Sequence, residues 1–304
     1  MQSGFHPLSF VNTMTAQPTP HPPGTPKIIA LIGGTGGMGR MMTPLLEGLG
    51  HTVLAAGRST PLTPEDAARR AEVVIVTVPI HHTQDTIARL APLLGPEKLF
   101  SDFTSIKRQP VEAMLASPAA VIGCHPIFGP MPNPAGQNVV LCPARPGPWL
   151  DWYEHLYLAL GMKVSRMTPE EHDRSMAVIQ GLTHFINISF AATLESRQVN
   201  LEQVLQVCSP VYRVAFAMLS RILSGDPALY REIQLANPEN LPILEEFLGN
   251  ASRLKAMVGS ADGPGFDDLF THAAGYLGPY LATARRESDW LVEQMRRKLT
   301  EDGR

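Results

Sequence analysis

The feature that most restricts this chain is Gly34-Thr35-Gly36-Gly37-Met38-Gly39, set between an apolar run and an apolar helical pattern. Lys27–Ile32 is short, apolar and followed by glycines, the pattern of a strand covered on both faces. The helix after the glycines is expected to reach about Leu49 and to stop at Gly50. Pro44 stands inside it, beyond the tolerant first turn, and predicts a kink. A G-x-G-x-x-G turn in this setting suits a dinucleotide pyrophosphate. Gly34 allows the tight turn, Gly36 lets backbone approach the phosphates, and Gly39 permits close helix–strand packing. Free N–H groups at the helix start and the helix dipole favour phosphate charge. The letters alone are weak, because a glycine-rich turn with no ligand reads the same way. The strand–turn–helix context selects a nucleotide site lined by Gly34, Thr35, Gly36, Gly37, Met38 and Gly39.

The rest of the first half alternates strand and helix. Thr52–Ala56, Val73–Val78, Leu99–Asp102, Ala120–Cys124 and Asn138–Cys142 read as further strands, with helical stretches between most of them. That alternation predicts an α/β fold, a Rossmann-type doubly wound sheet. From about Thr168 onward no strand pattern remains. Glu170–Ser196 carries Met176, Ile179, Leu182, Phe185 and Ile186 at helical spacing and reads as one long helix. Breaks at Pro210, Gly225–Pro227, Asn237–Pro238 and Gly259–Gly265 separate the helices that follow. The expected organisation is a disordered leader over 1–26, a dinucleotide-binding domain over 27–167 and an all-helical domain over 168–304. The leader is rich in Pro, Thr, Ser and His and lacks the parts of a signal peptide.

Composition narrows the partners. Hydrophobic residues are 44% and charged residues 17% of 304, enough for two compact cores. The formal net charge is −3, and no basic stripe points to nucleic acid or to a membrane surface. No unbroken run of 18 apolar residues occurs. Three widely spaced cysteines without a CxxC point to a reducing cytoplasm and against a cysteine-rich metal site, and no metal is expected.

The end of the second strand bears on the cofactor. NAD sites usually carry an acid there for the ribose hydroxyls. Here Gly57 holds that place, followed by Arg58, Ser59 and Thr60, and the nearest acid is Glu65. A guanidinium with neighbouring hydroxyls suits a 2′-phosphate, so Arg58 and Ser59 favour NADP, with NAD possible. Arg58 as a solvated surface residue is the plainer reading. Two polar motifs, Asp102-Phe103-Thr104-Ser105-Ile106-Lys107 and His125-Pro126-Ile127-Phe128-Gly129-Pro130, each follow a strand. Both are expected outside the carboxyl ends of the strands, where open α/β sheets bind ligands. A lone histidine there is more often structural than catalytic; two polar motifs at one sheet edge shift the balance.

In order and spacing, Val78-Pro79-Ile80-His81, Ser105-x-Lys107, His125-Pro126-x-Phe128-Gly129-Pro130, Glu171-His172-Asp173 and Gln180-x-x-x-His184-Phe185 resemble the prephenate dehydrogenases. Ser209-Pro210-x-Tyr212-Arg213 and Asp226-Pro227-x-x-Tyr230 extend the resemblance, which covers about residues 27–290. It implies oxidation and decarboxylation of prephenate or arogenate, with hydride passed to NAD(P), on the route to tyrosine. It implies that His125 is the catalytic histidine and that Ser105 contacts the same ring hydroxyl. It implies carboxylate binding by Arg221, with Arg213 a second candidate, and a pocket role for His184. It places Pro79 and Ile80 beside the cofactor, and it implies a homodimer built through the helical half. Without the resemblance Arg221 reads as a snorkelling residue on the apolar stretch Val214–Leu223, and His184 as a core histidine. After Pro130 the chain departs from many relatives, with Met131-Pro132-Asn133-Pro134 where they carry an acid and then Ser-Gly. Two other readings compete. A β-hydroxyacid dehydrogenase would need a lysine on the long helix, and Glu170–Ser196 has none. A non-catalytic NADP-binding sensor would keep the glycine loop without needing Ser105, His125 and Arg221 together.

Overall fold

The computed structural model describes residues 25–301. The expected leader falls almost wholly outside them. Seven strands form one sheet in the order β2-β1-β3-β4-β5-β6-β7. They are β1 (Ile28–Ile32), β2 (Thr52–Ala56), β3 (Val73–Val76), β4 (Leu99–Asp102), β5 (Ala120–Pro126), β6 (Asn138–Arg145) and β7 (Lys163–Arg166). Between them lie α1 (Gly37–Gly48), α2 (Pro64–Arg70), α3 (Ile80–Leu90), α4 (Arg108–Met114) and α5 (Trp149–Ala159). All neighbours pair in parallel except β5 with β6, which is antiparallel.

Alternation along the central strands explains the two-sided cover. Ile29, Leu31, Val73 and Ile75 point to one face, where Met42 and Leu46 of α1 and Tyr153 and Tyr157 of α5 meet them. Ala30, Ile32, Val74 and Val76 point to the other, against Ala67 and Ala68 of α2, Ile87 and Leu90 of α3, and Met114 of α4. Each fully buried Ile or Leu contributes about 1.5–3 kcal/mol. The chain leaves β1 for β2 on one side and returns to β3 on the other. The strand order therefore reverses between β1 and β3, and a ligand crevice opens beyond their carboxyl ends.

Residues after β7 are helical: α6 (Pro169–Met176), α7 (Thr183–Ser196), α8 (Leu201–Val207), α9 (Pro210–Leu223), α10 (Pro227–Ala236), α11 (Asn240–Ser260), α12 (Gly263–Leu277) and α13 (Tyr280–Glu301). Several expectations are corrected. The helix over 170–196 is not uniform, since Ala177–Leu182 is wound as a π-helix between α6 and α7. Small Gly181 stands there with the Asn240 amide packed against it. β3 ends at Val76, two residues early, and β5 and β6 run on to Pro126 and Arg145. The edge strand β7 was not expected, because KVSR is short and mostly exposed. Helix α1 spans Gly37–Gly48 with Pro44 inside it, in line with its expected extent. The span 169–196 is long and apolar enough, by length and composition, to cross a membrane, although no unbroken apolar run of that length exists in the sequence. Only 11% of its most apolar window is buried within the chain.

Candidate functional site

The glycine loop sits at the crevice. Gly33, not Gly34, takes the left-handed backbone, at φ +95°. A Cβ at Gly33 would lie 2.8 Å from the Thr77 carbonyl oxygen. Gly34 is required by closeness instead: its Cβ would meet Ala55 and the Leu31 carbonyl at 2.8 Å. Gly39 performs the expected packing role, since a Cβ there would be 2.4 Å from Gly34 Cα. Helix α1 begins with Gly36 as its N-cap, with no side-chain cap and no acid in its first turn. Gly37, Met38 and Gly39 come before the first amide bonded within the helix, Arg40 N–H to the Gly36 carbonyl at 2.9 Å. This close-approach surface with spare amides and no negative charge fits a dinucleotide pyrophosphate. Thr35 and Gly36 are exposed on it. Arg40, which the motif reading passed over, donates to the Thr35 carbonyl at 2.8 Å and holds a guanidinium beside the loop.

At the end of β2, Arg58 and Ser59 are exposed, and Arg58 makes no side-chain hydrogen bond or ion pair among the described residues. Thr60 is not available in the same way. Its hydroxyl accepts from Gly57 N–H at 2.9 Å and donates to the Leu62 carbonyl at 2.7 Å, so it closes the turn. Pro79 is the exposed N-cap of α3 and Ile80 its half-buried first residue, directly beyond β3.

The second half of the site grows from β4 and β5. These strands pair at Leu99–Ala120 and Phe100–Val121, and no paired register continues beyond. Lys107 fills the gap. Its fully buried ammonium pairs with Asp102 at the end of β4 and donates to the Cys124 carbonyl on β5 at 2.8 Å. Gly123 makes room, since a Cβ there would lie 3.0 Å from Lys107 Cδ and 2.7 Å from Val111 Cγ2. Cys124 precedes His125, so the lysine anchors the histidine's backbone. Past His125 the chain returns to the glycine loop. Pro130 packs on Gly37, where a Cβ would meet its ring at 2.8 Å, and Met131 N–H reaches Met41 Sδ at 3.3 Å. The His125 motif and the cofactor loop thus form one continuous surface.

His125 is 3% exposed. Its Nδ1 lies 2.8 Å from His172 Nε2, and His172 Nδ1 lies 2.8 Å from Asp173 Oδ1. The same carboxylate accepts Lys107 N–H at 2.7 Å and Arg108 N–H at 3.0 Å, capping α4 from the helical half. Helix α6 is fixed for this by a capping box between Thr168 and Glu171, with Pro169 at the first helical position. Burial holds the His125 imidazole well below the usual histidine range, helped by neighbouring His172 and Lys107. Burial also lowers His172, against the opposing pull of Asp173. Burial alone would raise Asp173, but hydrogen bonds from His172 and from the Arg108 and Lys107 amides hold it below the carboxylate norm. Both rings are therefore neutral near pH 7.

Ser105 is half-buried on the loop between Asp102 and Lys107. His184, at the start of α7, meets Tyr230 edge-on at 4.9 Å between ring centroids, and burial lowers its pKa. His184 Nδ1, Gln180 Oε1 and Arg213 Nε are buried with no protein partner. Such orphaned polar atoms beside a π-turn mark places where a ligand or water completes the hydrogen bonding. Arg221 is exposed on α9, which packs on α7 and α13, and no hydrogen bond or ion pair among the described residues joins it to the His125 cluster. In the sequence His172, Asp173 and Lys107 stand only as members of motif segments with no task assigned.

Comparison with known proteins gives the family. Residues 56–165 match the family model described as "Prephenate dehydrogenase, nucleotide-binding domain" and 168–272 that described as "Prephenate dehydrogenase, dimerization domain". The glycine loop precedes the first matched span, so its reading rests on the geometry above. The "Probable arogenate/prephenate dehydrogenase" of Methanocaldococcus jannaschii is 34% identical over 271 residues, covering 82% of this chain and 61% of that protein. The chain therefore spans less than two thirds of that relative's length. The "T-protein" of Haemophilus influenzae is 33% identical over 268 residues, covering 88% of this chain and 71% of its own. Among solved structures, prephenate dehydrogenase from A. aeolicus, in complex with hydroxyphenyl propionate and NAD+, superposes with a TM-score of 0.65 at 19% identity, covering 83% of this chain and 98% of that one.

Proposed function

Because this chain belongs to the prephenate dehydrogenase family, we propose that it oxidises and decarboxylates a cyclohexadienyl acid, prephenate or arogenate. The observation that carries the proposal is His125: a buried, neutral imidazole on the surface continuous with the glycine loop. A nicotinamide cofactor, when bound, supplies the hydride acceptor. The loop Gly34–Gly39 would hold its pyrophosphate and Pro79 and Ile80 would flank it. Arg58 and Ser59 favour NADP, because a free guanidinium suits a 2′-phosphate and no acid at the end of β2 claims the ribose hydroxyls. His125 Nε2 takes the proton of the ring hydroxyl as the carbinol carbon is oxidised, a contribution of about 10²- to 10⁴-fold for positioned proton transfer. Ser105 contacts the same hydroxyl. Arg221 binds a substrate carboxylate through its planar fork; its support is its place in the motif order and its unengaged guanidinium. Arg213 and His184 line the substrate side, supported by their orphaned nitrogens. Loss of carbon dioxide from the carbon across the ring aromatises the product and makes the step irreversible.

The exposed apolar faces of the helical half support a homodimer, and the free thiols support a cytoplasmic setting. Purified enzyme is assayed for NADPH and NADH formation with prephenate and then arogenate. Turnover with either supports the reading, and none with both removes it. His125→Asn is expected to keep cofactor binding and to lose about 10²- to 10⁴-fold in kcat; near-normal turnover takes the role away from His125.

A further inference from the structure

We propose that His172 and Asp173 are positioning residues that fix which nitrogen of His125 is free to act, and that this control is delivered from the helical half of the chain. The proposal rests on His125 being the base, as argued above. The hydrogen-bond chain permits one direction of donation. Asp173 Oδ1 can only accept, so His172 Nδ1, 2.8 Å away, carries a proton and donates. In a neutral ring that leaves His172 Nε2 as a lone-pair acceptor. Nε2 faces His125 Nδ1 at 2.8 Å, so His125 Nδ1 must carry the proton. The remaining nitrogen, His125 Nε2, is then unprotonated and has no hydrogen-bond partner among the described residues. The arrangement resolves a problem set by burial. A buried neutral histidine left alone could settle in either tautomer, and one of the two cannot accept a proton at Nε2.

The carboxylate has a second duty that ties the tautomer to domain docking. Asp173 receives the amides of Lys107 and Arg108, which open α4 on the sheet side. Its own backbone carbonyl accepts from Asn237 Nδ2 at 2.7 Å. Arg108 pairs with Glu239 at 2.6 Å across the same junction. The carboxylate that orients the relay is therefore correctly placed only when α6 sits on α4 at Asp173. The charged groups facing His125 and His172 are Asp173 from α6, Asp102 at the end of β4 and Lys107 from the segment after it. Of these, Asp173 alone is hydrogen-bonded to the relay. When His125 Nε2 gains a proton, its Nδ1–H donates more strongly to His172, and the Asp173 charge stabilises the imidazolium through that ring.

Imidazole ¹⁵N NMR of the apo-enzyme, assigned with His125→Asn, tests the tautomer without substrate. A pyrrole-type Nδ1 and pyridine-type Nε2 at His125 are expected; the opposite tautomer overturns the proposal. Kinetics then separate positioning from mere structure. His172→Gln can still accept from His125 Nδ1–H and is expected to stay within about tenfold of wild type in kcat. His172→Phe cannot accept and is expected to lose at least about tenfold more than His172→Gln. Asp173→Asn is expected to lose about 10- to 100-fold in kcat, with cofactor KM unchanged. The acid limb of its kcat/KM profile should move to lower pH, because a stabilising negative charge is gone. Equal losses in the Gln and Phe variants, or a wild-type profile in Asp173→Asn, sink the proposal. If wild-type enzyme turns over neither prephenate nor arogenate, the reading of the reaction falls, and the NMR result still decides the tautomer.

Discussion

The base role proposed for His125 requires a neutral ring, and burial supplies one at a cost. A base must be unprotonated to act, and with its pKa held well below 6.5 the ring is free at neutral pH. The acid limb of kcat/KM should therefore lie below about pH 6.5, and a plateau should extend through neutrality. An acid limb above pH 7 in a stopped-time assay series would show that His125 is not the group titrating. Gly39 makes a second residue-level test. A methyl group there would press into the Gly34 backbone at 2.4 Å, where no flexible side chain can give way. Gly39→Ala should cost about 1–3 kcal/mol of stability and weaken cofactor binding, measured by denaturant unfolding and by fluorescence titration. Single residues were legible where geometry follows from residue type, as with the close approach at Gly39. They were illegible where a partner comes from a distant element. His172 and Asp173 sit in a charged helix start, which by pattern alone reads as solvated surface. Nothing in the order of letters says that this stretch docks on β5.

Lys107 behaves as part of an element rather than as a side chain. It replaces the missing ladder between β4 and β5, with its ammonium bonded to Asp102 on one side and to the Cys124 carbonyl on the other. Both charges are fully buried, and Asp102 Oδ1 already lacks a partner. Lys107→Met would strand the carboxylate in the core. The expected loss is about 3–5 kcal/mol in denaturant unfolding, and a change within 1 kcal/mol would show that the ion pair does not hold the strands. Strands β1 and β3 were the most legible because parallel strands buried on both faces read as unbroken apolar runs, and β2, β4, β5 and β6 showed as shorter apolar runs between helical stretches. β7 escaped because an exposed edge strand of alternating character carries no such run. The π-wound turn at Ala177–Leu182 escaped for another reason. The Asn240 amide packs on Gly181 within it, and Asn240 Nδ2 donates to the carbonyls of Ile233 and Gln234 at 2.9 Å. That contact joins positions far apart in the chain, and helical spacing in the local sequence continues across it unchanged.

On the scale of the whole molecule, the helical half leaves much of its apolar surface uncovered. Ile186 and Phe190 on α7, Tyr212 on α9, Phe270 on α12 and Trp290 on α13 are all exposed in the single chain. Exposed large apolar side chains in this number suit an interface better than a solvated face. A bilayer would also suit the span 169–196 by length and composition, but its start is already committed: His172 and Asp173 are buried against the sheet half. The proposed second copy of the chain would leave that junction intact, and sedimentation at micromolar concentration should return a dimer. The same junction governs how the molecule responds to acid. His51, His125, His172 and His184 are all held below their unfolded value near 6.5 by burial. Between their folded values and 6.5 the unfolded chain binds more protons than the folded one, so stability rises with pH through that window and falls as pH drops through it. Asp173 is depressed too, and its contribution is present above its unfolded value and lost as pH falls through its folded one. Acid therefore acts first on the histidines and then on the carboxylate that joins the two halves. Denaturant midpoints measured from pH 8 down to pH 4 should decline from about pH 6.5 downward, and His172→Gln should flatten part of that decline. A midpoint that holds constant to pH 4, or a His172→Gln series parallel to wild type, would show that the buried imidazoles do not set acid stability.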